Sequence, residues 1–262
     1  LFKLIDATCE RSTCQVERFL NRNRILNSHY TYFLILLGSI AGPLLLSFDK
    51  KVAYYQKWKY LFPAMLLPAL FFIVWDELKT KAGVWSFSDA HITGMKLSTL
   101  PLEEILFFVL VPYCCVFIYE CIVCYFPSVK QKNWGKPVLL LMGVLFLVAA
   151  MFTYGKAYTF YTSLFNALFI AVLFIFSKWF KGFNASAFLL SYLIVVIPFL
   201  LVNGLLTGIP VVLYNDAENL GIRIFSFLPW PMNNIPVEDI FYGMLLILMN
   251  VAFYERLRSK RA

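Results

Sequence analysis

Pro101-Leu102-Glu103-Glu104-Ile105 recurs as Pro236-Val237-Glu238-Asp239-Ile240, and Tyr119-Glu120 recurs as Tyr254-Glu255 at the same offset of 135 residues. Each copy opens an apolar stretch, Leu100–Phe126 and Pro236–Tyr254, close to the roughly 20 residues a helix needs to cross a bilayer. A Pro, two adjacent acids and a Tyr-Glu pair about five turns later mark these two stretches as equivalent helices. Five more apolar stretches surround them: Tyr30–Phe48, Tyr60–Trp75, Pro137–Tyr154, Tyr158–Ser177 and Ser186–Leu206. The equivalent helices are therefore the third and seventh of seven spans. Because four spans separate them, both run the same way through the membrane, which predicts a parallel repeat and not an inverted one. Spans one to three match five to seven, and span four links them (3+1+3).

Composition agrees. Hydrophobic residues are 61% of 262 and charged residues only 15%, against about 25% charged in a soluble domain. Strand-like alternation is absent, which argues against a barrel, and helices satisfy their own backbone groups in lipid. The expected fold class is all-α, an integral, multi-pass membrane bundle. Its parts are a first repeat over 30–126, a linker with span four over 127–157, a second repeat over 158–255 and a basic tail over 256–262. Residues 1–29 are polar and carry neither an initiating Met nor the apolar core of a signal peptide. Three readings of them stay open: a disordered tail, an amphipathic surface segment, or translated sequence upstream of a true start near Leu26.

Lys and Arg fall mainly in alternate loops. Lys50, Lys51, Lys57 and Lys59, Lys130, Lys132 and Lys136, Lys178 and Lys181, and the C-terminal Arg256, Arg258, Lys260 and Arg261 share one side. The other holds Lys79, Lys81, Lys96, Lys156 and Arg223. The basic side and the C-terminus are predicted to be cytoplasmic, in the cell membrane if the source is prokaryotic. The net charge of +8 is then a topology signal and calls for no nucleic acid.

Acids in a first helical turn suit the helix dipole, and Pro suits the helix start. Two carboxylates in each of two copies, at the border of hydrocarbon where a central charge costs roughly 3 kcal/mol, point beyond capping. Desolvation fits a carboxyl to proton donation. Consecutive helical residues diverge by about 100°, so one acid of each pair faces a site and the other tunes or anchors it. Aromatic residues are 18% of the chain. Trp75, Trp85, Phe87, Phe107, Phe108 and Tyr242 lie near the motifs; an interfacial belt accounts for many such residues, but aromatic faces also stabilise cations. Acid beside aromatic faces suits alkene protonation and shelter of the carbocation. Cys121-x-x-Cys124 has neither a second Cys pair nor a nearby His, and reads as helix packing. Without a phosphate loop or dinucleotide fingerprint, no cofactor and no metal are expected.

The ordered set Trp75-Asp76, Gly83-Val84-Trp85-Ser86-Phe87, Gly94, Leu100-Pro101-Leu102-Glu103-Glu104, Asn203-Gly204-x-Leu206-Thr207-Gly208, Tyr214-Asn215, Gly221-x-Arg223 and Ile235-Pro236-Val237-Glu238-Asp239 resembles the membrane-integral lycopene cyclases. These occur as two small subunits in some bacteria and as a fused chain in archaea, other bacteria and fungi. The resemblance spans about residues 28–258 and implies the fused form. It implies that lycopene's linear ends become β rings, giving β-carotene through γ-carotene. By the same resemblance Glu103, Glu104, Glu238 and Asp239 are the catalytic acids. A carboxylic acid protonates the terminal double bond, the internal double bond attacks the tertiary cation to close a six-membered ring, and a base removes a proton. The change is an isomerisation and needs no redox cofactor.

Trp75, Phe107, Phe108 and Tyr242 are expected to line the cavity. Asp76 and Asn203 close equivalent spans and are expected to hydrogen-bond the acids across the half interface. Arg223 reads either as their counter-ion or as a solvated loop cation. One shared site and two separate sites both fit. Expected partners are lycopene and other carotenoids, membrane lipid, and a second copy of the chain or other carotenoid-pathway enzymes. Alternatives are a cyclase of elongated fifty-carbon carotenoids and a transporter with intramembrane carboxylates. A retinal protein is disfavoured, because the seventh span has no Lys for a Schiff base.

Overall fold

The computed structural model describes residues 28–224, 226–227 and 234–259. The expectations for residues 1–27 and for the last tail residues, Lys260 and Arg261 among them, lie outside the described residues. Among those described are seven α-helices: α1 (Thr31–Leu46), α2 (Trp58–Lys81), α3 (Leu102–Tyr125), α4 (Gly135–Phe152), α5 (Ala157–Ile175), α6 (Ala185–Gly208) and α7 (Glu238–Ser259). Six are long and apolar enough to cross a membrane; α1, at 16 residues, rises only about 24 Å against a hydrocarbon core of about 30 Å.

Helix ends depart from the hydropathy bounds, and the first two spans show why. The first stops two residues short of Phe48, because the Ser47 hydroxyl donates to the Pro43 carbonyl at 2.7 Å and competes with the helical ladder. Asp49 then gathers the N–H groups of Lys51 and Val52 into a turn. The second runs six residues past Trp75, to Lys81. Its polar last turns are satisfied in place: Asp76 accepts from Tyr242, Glu77 from Thr99 and Lys81, and Lys79 lies over the Tyr161 ring. Hydropathy ends at the first charge, whereas the backbone ladder ends only where a carbonyl or N–H finds a better partner.

Helix α1 packs on α3 and α5 on α7, while α2 crosses to α7 and α3 to α6 and α7. Helix α4 packs against α5 and α6 and leaves Leu141, Leu145 and Met151 exposed on its outer face. At the far ends of α3 and α7 the repeated Tyr-Glu pairs clasp one another. Tyr119 donates to Glu255 at 2.7 Å and Tyr254 to Glu120 at 2.9 Å. Lys57 and Arg258 also pair with Glu120, and Lys130 with Glu255. Both glutamates are buried, a position tolerable only with such partners.

The loops at the opposite end are not all irregular. Three short antiparallel pairs order them: β1 (Trp85–Phe87) with β4 (Val212–Tyr214), β2 (Lys96–Leu97) with β3 (Leu100–Pro101), and β5 (Arg223–Ile224) with β6 (Ile235–Pro236). The fold is thus mostly helical with a strand-paired cap, a departure from a purely helical chain. The β1–β4 register, Trp85 opposite Tyr214 and Phe87 opposite Val212, ties the loop before α3 to the loop before α7. That places both acidic helix starts under one cap.

Candidate active site

The α3 start is fixed by Pro101, whose extended backbone (φ −67°, ψ 152°) precedes the first turn, and by β3, which holds Leu100 and Pro101 against β2. Glu103 and Glu104 then point in different directions. Glu103 turns back to the loop and accepts the Thr93 N–H at 2.7 Å. Glu104 turns inward and accepts from the Tyr32 hydroxyl of α1 at 2.6 Å. The α7 start divides its acids the same way. Glu238 accepts from the Leu220 N–H at 2.9 Å and the Thr159 hydroxyl at 2.6 Å. Asp239 turns inward and accepts from Tyr158 of α5 at 2.7 Å, Asn203 of α6 at 3.0 Å and Tyr214 of β4 at 3.2 Å.

The inward acids meet in one pocket. Glu104 and Asp239 line it together with Asp76, Phe107, Asn203 and Tyr242 from the sequence expectation. Asp76 accepts the Tyr242 hydroxyl at 2.6 Å, and its carboxyl shares the pocket with that of Glu104. An ionised carboxylate can only accept, whereas a protonated carboxyl can also donate. Asp239 stands differently: all three of its partners are donors, which fits a carboxylate. Outside the helices, burial and the neighbouring Asp239 hold the Tyr214 phenol well above its usual range, so it stays a donor.

Aromatic rings close the walls. Tyr158 stacks on Tyr214 with centroids 5.6 Å apart, Trp85 meets Tyr158 edge-on at 5.1 Å, and Tyr242 lies 5.0 Å from both Phe72 and Trp75. Phe199 is pressed over Gly243, where a Cβ would come within 2.5 Å of its ring. The free space is about 40 Å³, room for water but not for a hydrocarbon end group without a shift of the lining.

Several sequence candidates lie elsewhere. Glu103 and Glu238 are buried against the loops and do not line the pocket. Trp75 sits one ring further out, behind Tyr242. Phe108 is packed between Phe72 and Phe107. Arg223 pairs with Asp216 and Asn234 and is not among the pocket residues. Asn203 reaches the acid of the adjacent helix α7, not an acid of the other half; it is the Asp76–Tyr242 bond that crosses from α2 to α7. Tyr32, Tyr158 and Phe199 line the pocket without having been singled out. Tyr32 stands at the start of α1 and Tyr158 at the start of α5.

The family model described as lycopene cyclase matches the chain over residues 29–122 and 155–257. No curated protein and no solved structure matches it.

Proposed function

Because the chain belongs to the lycopene cyclase family, we propose that it closes the linear ends of lycopene into β rings at one site shared by its two halves. The observation that carries this reading is the meeting, inside one pocket, of an Asp76–Glu104 dyad, each member held by a tyrosine hydroxyl, with an Asp239 carboxylate held by three donors.

In this mechanism the dyad gives its proton to the inner CH carbon of the substrate's last double bond, leaving a tertiary cation on the dimethyl-bearing end carbon. The next suitably placed double bond supplies its electron pair to the cationic carbon, forming the ring bond and moving the charge into the ring. Asp239 takes a ring proton, and the new double bond completes the β ring. One proton enters and one leaves, so no electrons are exchanged. The proton returns from Asp239 to the dyad through pocket hydroxyls, for which Tyr214 and Tyr242 are placed. Trp85, Tyr158 and Tyr242 offer ring faces to the passing cation, and exclusion of water protects it from capture.

Two copies of one three-helix unit, 30–126 and 158–255 with α4 between them, are the architecture behind the shared site. The two matched stretches support this. So do the repeated roles: Tyr32 and Tyr158 each donate to an inward acid, and Glu103 and Glu238 each accept a loop N–H. With the basic loops inside, the catalytic pocket would lie toward the outer leaflet and the C-terminus in the cytoplasm.

The test is expression in a lycopene-accumulating bacterium with chromatography of the pigments. Wild type is expected to yield β-carotene, with γ-carotene as the early intermediate. Asp239→Asn, like a loss in the first half, is expected to remove every ring. Accumulation of γ-carotene in variants of one half alone would refute the shared site, and no cyclic product from well-inserted wild type would refute the assignment to lycopene.

A further inference from the structure

The pocket is too small for its substrate and lies at the helix starts beneath the strand-paired loops, so the route by which a water-insoluble polyene reaches it is part of the chemistry. Between α2 and α5, on the outer face of the bundle, runs a groove of about 440 Å³ lined by apolar residues from Leu67 to Leu78 and by Tyr161 and Phe165. The eleven steps from Leu67 to Leu78 give it a length of about 16 Å along α2. Leu67, Leu70, Val74 and Leu78 stand exposed along it, a surface that in a bilayer meets hydrocarbon and not water.

The groove abuts the acid pocket. Its floor is a ladder of rings: Phe71 lies 5.2 Å from Phe165, Trp75 lies 5.0 Å from Phe165, and Trp75 lies 5.0 Å from Tyr242. Trp75 therefore lines the groove on one side and packs on Tyr242 on the other, and Tyr242 lines the acid pocket and holds Asp76. The Trp75 ring is buried, yet its Nε1–H has no hydrogen-bond partner among the described residues. An indole with no polar anchor gives up no hydrogen bond when it turns. Lys79, seated over the Tyr161 ring at 3.4 Å, marks the polar end of the groove.

We infer that the α2–α5 groove is the carotenoid's binding track and that Trp75 with Phe165 forms the side door through which an end group passes from the bilayer to Glu104, Asp76 and Asp239. This rests on the cyclase reading above. The polyene lies in the groove as an acyl chain would, and only its terminal carbons enter the pocket when the two rings swing aside. The door also accounts for a two-ended substrate at one site: after the first ring forms, the molecule leaves by the groove and returns with its other end.

The experiment uses the full chain in proteoliposomes loaded with lycopene, with initial rates normalised to inserted protein. Leu70→Trp and Val74→Trp fill the groove at exposed positions, touch none of the acids, and leave the core unchanged. Each is expected to lower the rate at limiting lycopene by about tenfold or more, the scale of one displaced apolar contact surface. Leu145→Trp, on the outer face of α4, is the control for a bulky ring in lipid and is expected to match wild type. A photoreactive benzoylphenylalanine at position 70 is expected to yield a lycopene adduct by mass spectrometry. Wild-type rates in both groove variants, or adducts with phospholipid alone, would overturn the track while leaving the cyclase assignment standing. Absence of cyclisation in wild type would instead strike the function reading itself.

Discussion

Replacing Glu104 by Gln separates chemistry from folding, and Glu103→Gln one residue earlier is its internal control. Gln at 104 keeps an oxygen to accept from Tyr32, which now bonds at 2.6 Å, and its amide can donate toward Asp76. Folding should change by no more than about 1 kcal/mol, the net worth of one rearranged hydrogen bond. The dissociable proton is gone, however, and general acid catalysis is worth roughly 10²–10⁴-fold, or about 2.7–5.4 kcal/mol of barrier at 1.36 kcal/mol per tenfold. Glu103→Gln acts in the opposite sense. Its Oε1 can still accept from Thr93, but its Oε2 is buried without a partner among the described residues. An amide nitrogen placed there would be an unsatisfied buried donor, costing about 1–3 kcal/mol of stability and leaving turnover per folded molecule near wild type. The assay is β- plus γ-carotene formed per inserted protein, beside thermal unfolding in detergent. Ring formation surviving in Glu104→Gln and vanishing in Glu103→Gln at equal protein levels would refute the assignment of the inward acid.

Gly243→Ala should force the Phe199 ring, 2.5 Å from the new Cβ, into the pocket; overpacking of about 1–3 kcal/mol is expected, with cyclisation falling more than protein level, and a wild-type rate would show that the Phe199 wall is not critical. Glu120→Gln at the opposite end should lower the melting temperature in detergent, because it strands Lys57 and Arg258 beside a neutral group. About 3 kcal/mol is expected, the low end for breaking a buried pair, since both cations are partly solvent-exposed; an unchanged melting temperature would show the clasp to be idle. A chain cut at Asn133, in an exposed turn before α4, should regain activity when both pieces are co-expressed. A cut at Thr159 should not, because Thr159 lies in α5 and donates to Glu238; equal recovery from both cuts would contradict that role.

The sequence alone determined the solvent, the number of apolar stretches and the acidic helix starts. Burial in lipid is written into composition, and a Pro followed by two acids at a helix start is a local pattern. The divergence of Glu103 from Glu104 followed from helical geometry, but which of them turned inward did not. That depended on where α1, α2 and α6 came to rest against α3 and α7. Tyr32 meets Glu104 across 72 positions, Tyr158 meets Asp239 across 81, and Tyr242 meets Asp76 across 166; no window of periodicity reaches so far. The lengths of α1 and α2 likewise escaped hydropathy, because Ser47 ends one helix by a side-chain bond and tertiary partners carry the other through Asp76 to Lys81. The same side chains therefore had legible chemistry and illegible direction. Residue type sets what a carboxyl can do, but only the packing of distant helices decides whether it meets a loop N–H, one tyrosine hydroxyl or three donors.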